Sequence, residues 1–428
     1  MGARSSVMPN RRRFLRSGTA AVAATAFPTA LWGAANAPVV RIGYIDSFSG
    51  VFADLGAMHR AAAQLALDDA NRSGRVRFEF VFGDDASKPA TATTEARRLV
   101  SQEGVDVLYG LTSSACGLAL GPLCDELGIF NLEVGPFDSA ITAEKATRLT
   151  YRYGCNARMV MKPLANRLLA LGKKWYFLQA DYGMGRDSYQ QLSDALRRAG
   201  GTEAGRDVLP LGTSDFSSSM TKVRNSGADV LVLANSGQDA ANSIKQFVQF
   251  GLQKQIKLAG INLEDFYYKT VPLDAIAGAT FSVLWSPFVS DSSRKLARRL
   301  ARAINGPISA RHFYGYGATA ELTDRIIAAG TTDPEKLAAA FDRHRFDGYK
   351  GTQSFWHGCD HQLAQDVYAG AVVDAKRFAK TQFMFDVLAE VPAVESDGTC
   401  ESPWARAATT AMAAQTVGRR SGYTPKAV

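Results

Sequence analysis

The feature that most constrains this chain is an alternation of short apolar runs with amphipathic stretches, and it occurs twice. Residues 39–46 read as a buried strand, and 52–71 as a helix with Leu55, Met58, Ala62 and Leu65 on one face. Strands follow at 77–85, 106–112, 129–134 and 149–153, with helices at 89–102 and 114–127. The rhythm restarts at 174–181, with further strands at 203–209, 229–234 and 256–261. The intervening helices are 185–199, a short one capped by Asp215, and 239–250. Repeated βα units require mostly parallel sheets covered by helices on both faces. Two successive sets predict an α/β protein of two doubly wound parallel-sheet lobes. With 46% hydrophobic and 21% charged residues, the chain can bury such cores and is not a disordered polyelectrolyte. Beyond the second set, a strand at 280–285, a basic helix at 293–304, a long helical stretch at 316–343 and a last strand at 365–373 are expected.

The formal charge of +8 raises the question of a nucleic-acid or membrane-surface partner. Five arginines and no acid lie in residues 1–37, and without them 44 basic residues face 41 acidic ones, or +3. No nucleic-acid role is expected of so even a balance. The segment Asn10-Arg11-Arg12-Arg13-Phe14-Leu15-Arg16 resembles a twin-arginine translocation signal. An apolar run from Ser17 to Leu31 follows, about 15 residues where a membrane span needs about 20. Ala35-Asn36-Ala37 has the small-residue form of a cleavage site, and cutting after Ala35 is the alternative. Residues 1–37 are therefore expected to be an export signal, and the mature chain a periplasmic protein.

The five cysteines fit an oxidising compartment. Cys116 and Cys124 share one expected helix, about 12 Å apart by its rise, too far for a bridge. The expected pairs are Cys359–Cys400 and Cys124–Cys155. In His357-Gly358-Cys359-Asp360-His361, three possible metal ligands would share one face of a strand. A disulfide at Cys359 would remove the thiolate, and no metal is expected. Gly315–Ala320 is a degenerate dinucleotide fingerprint without a preceding apolar strand, so it reads as a helix start. No cofactor is expected, and no local catalytic motif of the serine-elbow, H-E-x-x-H or P-loop kind occurs.

Candidate ligand contacts lie where strands hand over to helices, since open parallel sheets bind ligands at the strands' carboxyl ends. Ser49 lies in the first such junction, and Ser113 and Ser114 open the helix after 106–112. Adjacent hydroxyls beside free helix N–H groups suit a carboxylate; capping alone would explain one serine. Tyr182, beside Gly183 and Gly185, is the aromatic candidate of the second set. Junctions at 235–239 and 260–265 each offer an acid, with capping as the plain alternative.

Several of these segments resemble type I periplasmic binding proteins, in particular the leucine/isoleucine/valine-binding family of ABC-transporter solute receptors. The residues that carry it are Val40-Arg41-Ile42-Gly43-Tyr44 with Ser47-Phe48-Ser49-Gly50, and Asp84-Asp85 before Pro89-Ala90 and Ala96-Arg97-Arg98-Leu99-Val100. Gly212-Thr213-Ser214-Asp215-Phe216 with Gly227-Ala228-Asp229 matches as well. The resemblance implies two lobes joined by a three-crossover hinge, closing like a Venus flytrap. Lobe 1 would be 38–154 plus 283–350 and lobe 2 155–282 plus 351–400, with 401–428 a disordered tail. It implies a monomeric, non-enzymatic receptor that hands a branched-chain amino acid, amide or aromatic acid to an inner-membrane ABC permease. Ser113 and Ser114, helped by Ser49, would hold the carboxylate, while Tyr182 and Glu264 would meet the ammonium or side chain. A sensing module for a signalling partner and an exported α/β enzyme are the alternatives.

Overall fold

A computed structural model describes residues 37–404 apart from Asn262 and residues 397–399. The export signal and most of the expected tail lie outside the described residues.

The first sheet contains β1 (Val39–Asp46), β2 (Arg77–Asp84), β3 (Val107–Gly110), β4 (Asn131–Glu133) and β5 (Thr150–Arg152), all parallel in the order β2-β1-β3-β4-β5. Its crossovers are α1 (Ala53–Arg72), α2 (Pro89–Ser101) and α3 (Ser114–Leu127). Successive residues point to opposite faces. Tyr44, Val107 and Tyr109 therefore join one core, while Ile45 and Leu108 join a second under α2 and α3.

After β5 the chain enters α4 (Ala157–Leu171) and the second sheet: β6 (Lys174–Ala180), β7 (Thr202–Leu209), β8 (Val230–Ala234), β9 (Lys257–Gly260) and β10 (Thr280–Val283). Helices α5 (Gly183–Arg198), α6 (Ser217–Asn225) and α7 (Gly237–Gln249) connect them. Every residue of β8, Val-Leu-Val-Leu-Ala, is buried, as a strand covered on both faces requires. The chain then returns to the first half. A four-residue helix, α8 (Leu273–Ile276), precedes β10; α9 (Asp291–Ile304), α10 (Ala310–Ala329) and α11 (Pro334–Phe341) follow it, and α10 packs along α1. That approach depends on Gly315, where a Cβ would come within 2.1 Å of the His59 carbonyl oxygen. A small antiparallel sheet of β11 (Arg345–Phe346), β12 (Ser354–Trp356) and β13 (Leu363–Ala364) comes next. Finally β14 (Val367–Val372) and β15 (Phe385–Val391) add antiparallel edges to the second sheet, in the order β15-β14-β10-β9-β8-β6-β7. The path thus passes between the two sheets three times, as a type I periplasmic binding fold does.

Several expectations change. The helical stretch expected at 316–343 starts earlier, at Ala310, under a capping box of Ser309 and His312. It also breaks in two, because Gly330 closes α10 in the left-handed region and Asp333 caps α11. Asp215 lies one residue outside the cap of α6; Phe216 holds that position, and Asp215 accepts from the Ser217 N–H at 2.9 Å. Residues 354–364, expected with the second lobe, sit against the end of the first sheet. Arg152 bridges Gln362, and the His361 ring stacks on Tyr151 at 4.0 Å between centroids.

Cys359 and Cys400 are joined as expected, with Cα atoms 5.4 Å apart. The Cys124–Cys155 pairing is wrong, since both are buried free thiols, as is Cys116. Cys124, on the buried face of α3, shares a core with Leu120 and Ile129, while Cys155 lies in the other core with Tyr153 and Tyr314. The segment 357–361 is a turn and not a strand. His357 instead approaches Asp360 at 3.2 Å, and with both cysteines these ligand atoms fall within 4.8 Å of one another. The disulfide occupies both sulfurs of that group.

Candidate functional site

The carboxyl ends of both sheets face one small cavity. It is lined by Phe52 and Leu55 after β1, Thr112 and Ser114 after β3, and Gly135 and Phe137 after β4. The second half contributes Tyr182 and Met184 after β6 and Ser236 after β8, and Arg311 enters from the first turn of α10. The free volume is about 10 Å³, room for one water, so a larger ligand requires the two halves to part.

Local backbone geometry sets the first-sheet wall. Gly110 and Leu111 both have positive φ, 120° and 68°, and this bend at the end of β3 turns Thr112 and Ser114 inward. Ser113 occupies the N-cap of α3 without making a side-chain cap bond. Ser114 Oγ accepts from the backbone N–H groups of Phe137 (2.9 Å) and Asp138 (3.1 Å), tying this loop to the one after β4. Thr112 Oγ1 lies 3.3 Å from His59 Nδ1, which contacts Asp46 Oδ2 at 3.0 Å. On the opposite wall the Tyr182 and Ser236 hydroxyls share a 3.0 Å hydrogen bond, and the Tyr182 ring meets Phe52 at 6.1 Å.

Arg311 is 3% exposed and Glu264 2%. Arg311 Nε and Nη2 both donate to Glu264 Oε1, at 2.9 and 2.7 Å. Glu264 follows β9 while Arg311 starts α10, so this buried ion pair joins the two halves of the molecule. Burial works against the guanidinium charge, but Glu264 outweighs it and holds the Arg311 pKa above its ordinary value. Next to the pair, burial and then the Glu264 charge push Asp265 up to about 8.

Asp265 has a pH consequence. Its folded pKa lies above the ~3.9 of an unfolded aspartate. Between about pH 4 and 8 the folded chain keeps a proton that the unfolded chain releases, so this group's contribution declines as pH rises through that window. Asp265→Asn should flatten the decline in Tm between pH 4 and 8 and raise Tm at pH 8, by ~2–4 °C for each ~1 kcal/mol recovered. Glu133, pushed to about 7 by burial, keeps part of the slope in either protein. A variant whose Tm–pH curve runs parallel to that of the parent would rule out a buried, neutral Asp265.

Of the five expected ligand contacts, the structure brings Ser114 and Tyr182 together across the cavity. Ser113 is buried one residue behind the wall. Ser49 is exposed on the outer loop, where its N–H donates to Asp84 Oδ1 at 3.1 Å. Glu264 faces Arg311. Sequence reasoning missed Arg311, because the helix was expected to start at 316 and left Arg311 outside it, whereas α10 starts at Ala310. A larger hollow of about 360 Å³ borders Phe288, Arg294, Ala297 and Ile308. It lies along α9, away from the strand ends, and among the described residues it holds no orphaned polar atom.

Residues 39–377 match the family model described as periplasmic binding protein, and the chain belongs to that family. Over 236 residues it is 30% identical to the Leu/Ile/Val-binding protein homolog 6 of Brucella melitensis biotype 1; the match covers 54% of this chain and only 58% of that relative. A periplasmic binding protein from Burkholderia mallei has a TM-score of 0.79 at 27% identity, covering 84% of this chain and 96% of that one. A solute binding protein of an ABC transporter from Rhodopseudomonas palustris BisB5, solved in complex with 3,4-dihydroxy benzoic acid, has a TM-score of 0.76 at 19% identity, covering 84% and 99%.

Proposed function

We propose that the chain is the periplasmic receptor of an ABC importer, capturing a small carboxylated organic solute between two lobes. The observation that carries this is the shared cavity: hydroxyls from both halves, Ser114 and Thr112 on one side and Tyr182 and Ser236 on the other, converge at the carboxyl ends of two sheets. Ser113 frames that wall, Ser49 braces the outer loop, and Glu264 holds Arg311. The names of the Brucella relative and the Rhodopseudomonas complex support a branched-chain amino acid or an aromatic acid as the solute class.

The lobes are 38–154 plus 283–350 and 155–282 plus 365–400, with the small sheet at 354–364 riding on the first. Crossings at 153–156, 284–286 and 365–366 form the hinge. Solute bridging both walls favours the closed form, and the inner-membrane permease reads that shape. The chain is exported by its twin-arginine segment, works as a monomer, and needs neither catalysis nor nucleic acid.

Thermal-shift screening of branched-chain amino acids, amides and aromatic acids tests this reading. A true ligand at ~100 times its Kd should stabilise the fold by ~2.7 kcal/mol. Silence across all three classes overturns the proposal.

A further inference from the structure

We propose that this pocket takes a carboxylate with an apolar body and no ammonium group, and that Arg311 is its anion contact. The inference rests on the receptor reading and names the solute class for the same site.

Arg311 presents five N–H donors in a fixed fork. Its Nε and Nη2 face Glu264, and Nη1 is buried with no partner among the described residues. Nη1 lies on the cavity side, because a Cβ built on Gly135 of the lining would sit 2.9 Å from it. An orphaned buried donor of this kind destabilises the fold until an acceptor meets it. Two hydroxyls can complete the acceptor's cradle. Ser114 Oγ already accepts two backbone N–H groups, so its own hydrogen remains to be donated. His59 Nδ1 lies against the Asp46 carboxylate, an acceptor, and so carries a hydrogen, which leaves the Thr112 hydroxyl hydrogen to point elsewhere. The first N–H groups of α3 lack a side-chain cap and add a third source of positive potential.

Among the described residues, no carboxylate lines the cavity. Glu264 Oε1 accepts from Arg311, and Asp265 lines a separate small cavity with Trp285 and Ala310. An ammonium would be buried among hydroxyls and the apolar walls of Phe52, Leu55, Phe137 and Met184 with no counter-charge, which is strongly unfavourable. The same walls suit a branched aliphatic or aromatic body.

Calorimetric titration of the full chain with matched probes tests this: 4-methylpentanoate against leucine, 3-phenylpropanoate against phenylalanine, and 4-methylpentanamide as the neutral control. The acids should bind at least ~100-fold more tightly than the amino acids or the amide, the scale of an unpaired charge in a dry site. Arg311→Gln should lower acid affinity by a similar factor and amide affinity by much less; if that variant does not fold, the acid–amide comparison on the unaltered protein carries the test. Leucine or phenylalanine binding more tightly than its des-amino partner overturns the inference and leaves the receptor reading standing. An amide that binds as well as the acid overturns the role of Arg311. If the thermal-shift screen finds only solutes without a carboxylate, this inference and the carboxylated solute class fall while the receptor role stands; if it finds none, the receptor role falls too.

Discussion

Replacing Glu264 by leucine should lower the unfolding free energy by ~3–5 kcal/mol, because it strands a buried guanidinium without its counter-charge. Both partners are almost fully enclosed, and the pair uses two donors on one carboxylate oxygen. Such a pair gains little over a well-packed apolar pair, since desolvation offsets most of the attraction. The double variant Glu264→Leu/Arg311→Met should therefore regain most of the lost stability while losing the solute. Urea unfolding of the parent, the single variant and the double variant measures both effects. A single-variant loss under ~1 kcal/mol would mean that Arg311 is hydrated in solution, and so that the two halves stand apart when no solute is bound. The experiment thus reports on the resting state of the cleft as well as on the pair.

The parts of the fold that were legible in the sequence are those with a strong local signal. Val230–Ala234 could only be a strand buried on both faces, and the handover at Gly110–Ser114 could only be a loop opening a helix. Cysteine count and compartment pointed to bridges but did not choose partners: of the two expected pairs, Cys359–Cys400 is formed and Cys124–Cys155 is not. Elements without a clean signal were missed. Helix α4 carries Pro163 in its interior, which masked a period that the exposed Lys162, Asn166, Arg167 and Ala170 do show. Strand β15 is an edge whose alternating pattern includes Asp386 and Glu390. The false Cys124–Cys155 pair failed because sequence does not say which face of a sheet each thiol occupies.

The site divides the same way. Ser114 and Tyr182 could be found because each sits at a strand–helix junction, a position that topology turns into a cleft wall. Arg311 belongs to no such junction. It reaches the cavity only because α10, far along the chain, is held against α1 by a glycine whose purpose shows only in three dimensions. Glu264 lay at a junction, but its partner, and therefore its role, did not.

The same non-local logic governs the hinge, and Lys350 is where it can be tested. Its Nζ donates to the carbonyl oxygens of Leu284 (2.7 Å) and Asp366 (2.8 Å) and lies 3.9 Å from Cys155 Sγ. Each of those three residues belongs to a different passage of the chain between the sheets. Lys350 is 2% exposed, and burial, the largest influence, lowers its pKa. The folded pKa therefore lies below the ~10.4 of an unfolded lysine, so this group's contribution to stability rises as pH climbs from the folded value towards 10.4. Lys350→Met keeps most of the side-chain volume but leaves two buried carbonyls unmatched, at ~1–3 kcal/mol each. Relief from burying a charge returns part of that, so a net loss of ~2–3 kcal/mol at pH 7 is expected, together with loss of the alkaline rise. Denaturant unfolding at pH 7 and pH 9.5 measures both. A variant as stable as the parent at pH 7 would show that the three passages hold together without this ammonium, and would leave bonds such as that from Gln365 Nε2 to the Tyr153 carbonyl oxygen, 2.6 Å, to tie them.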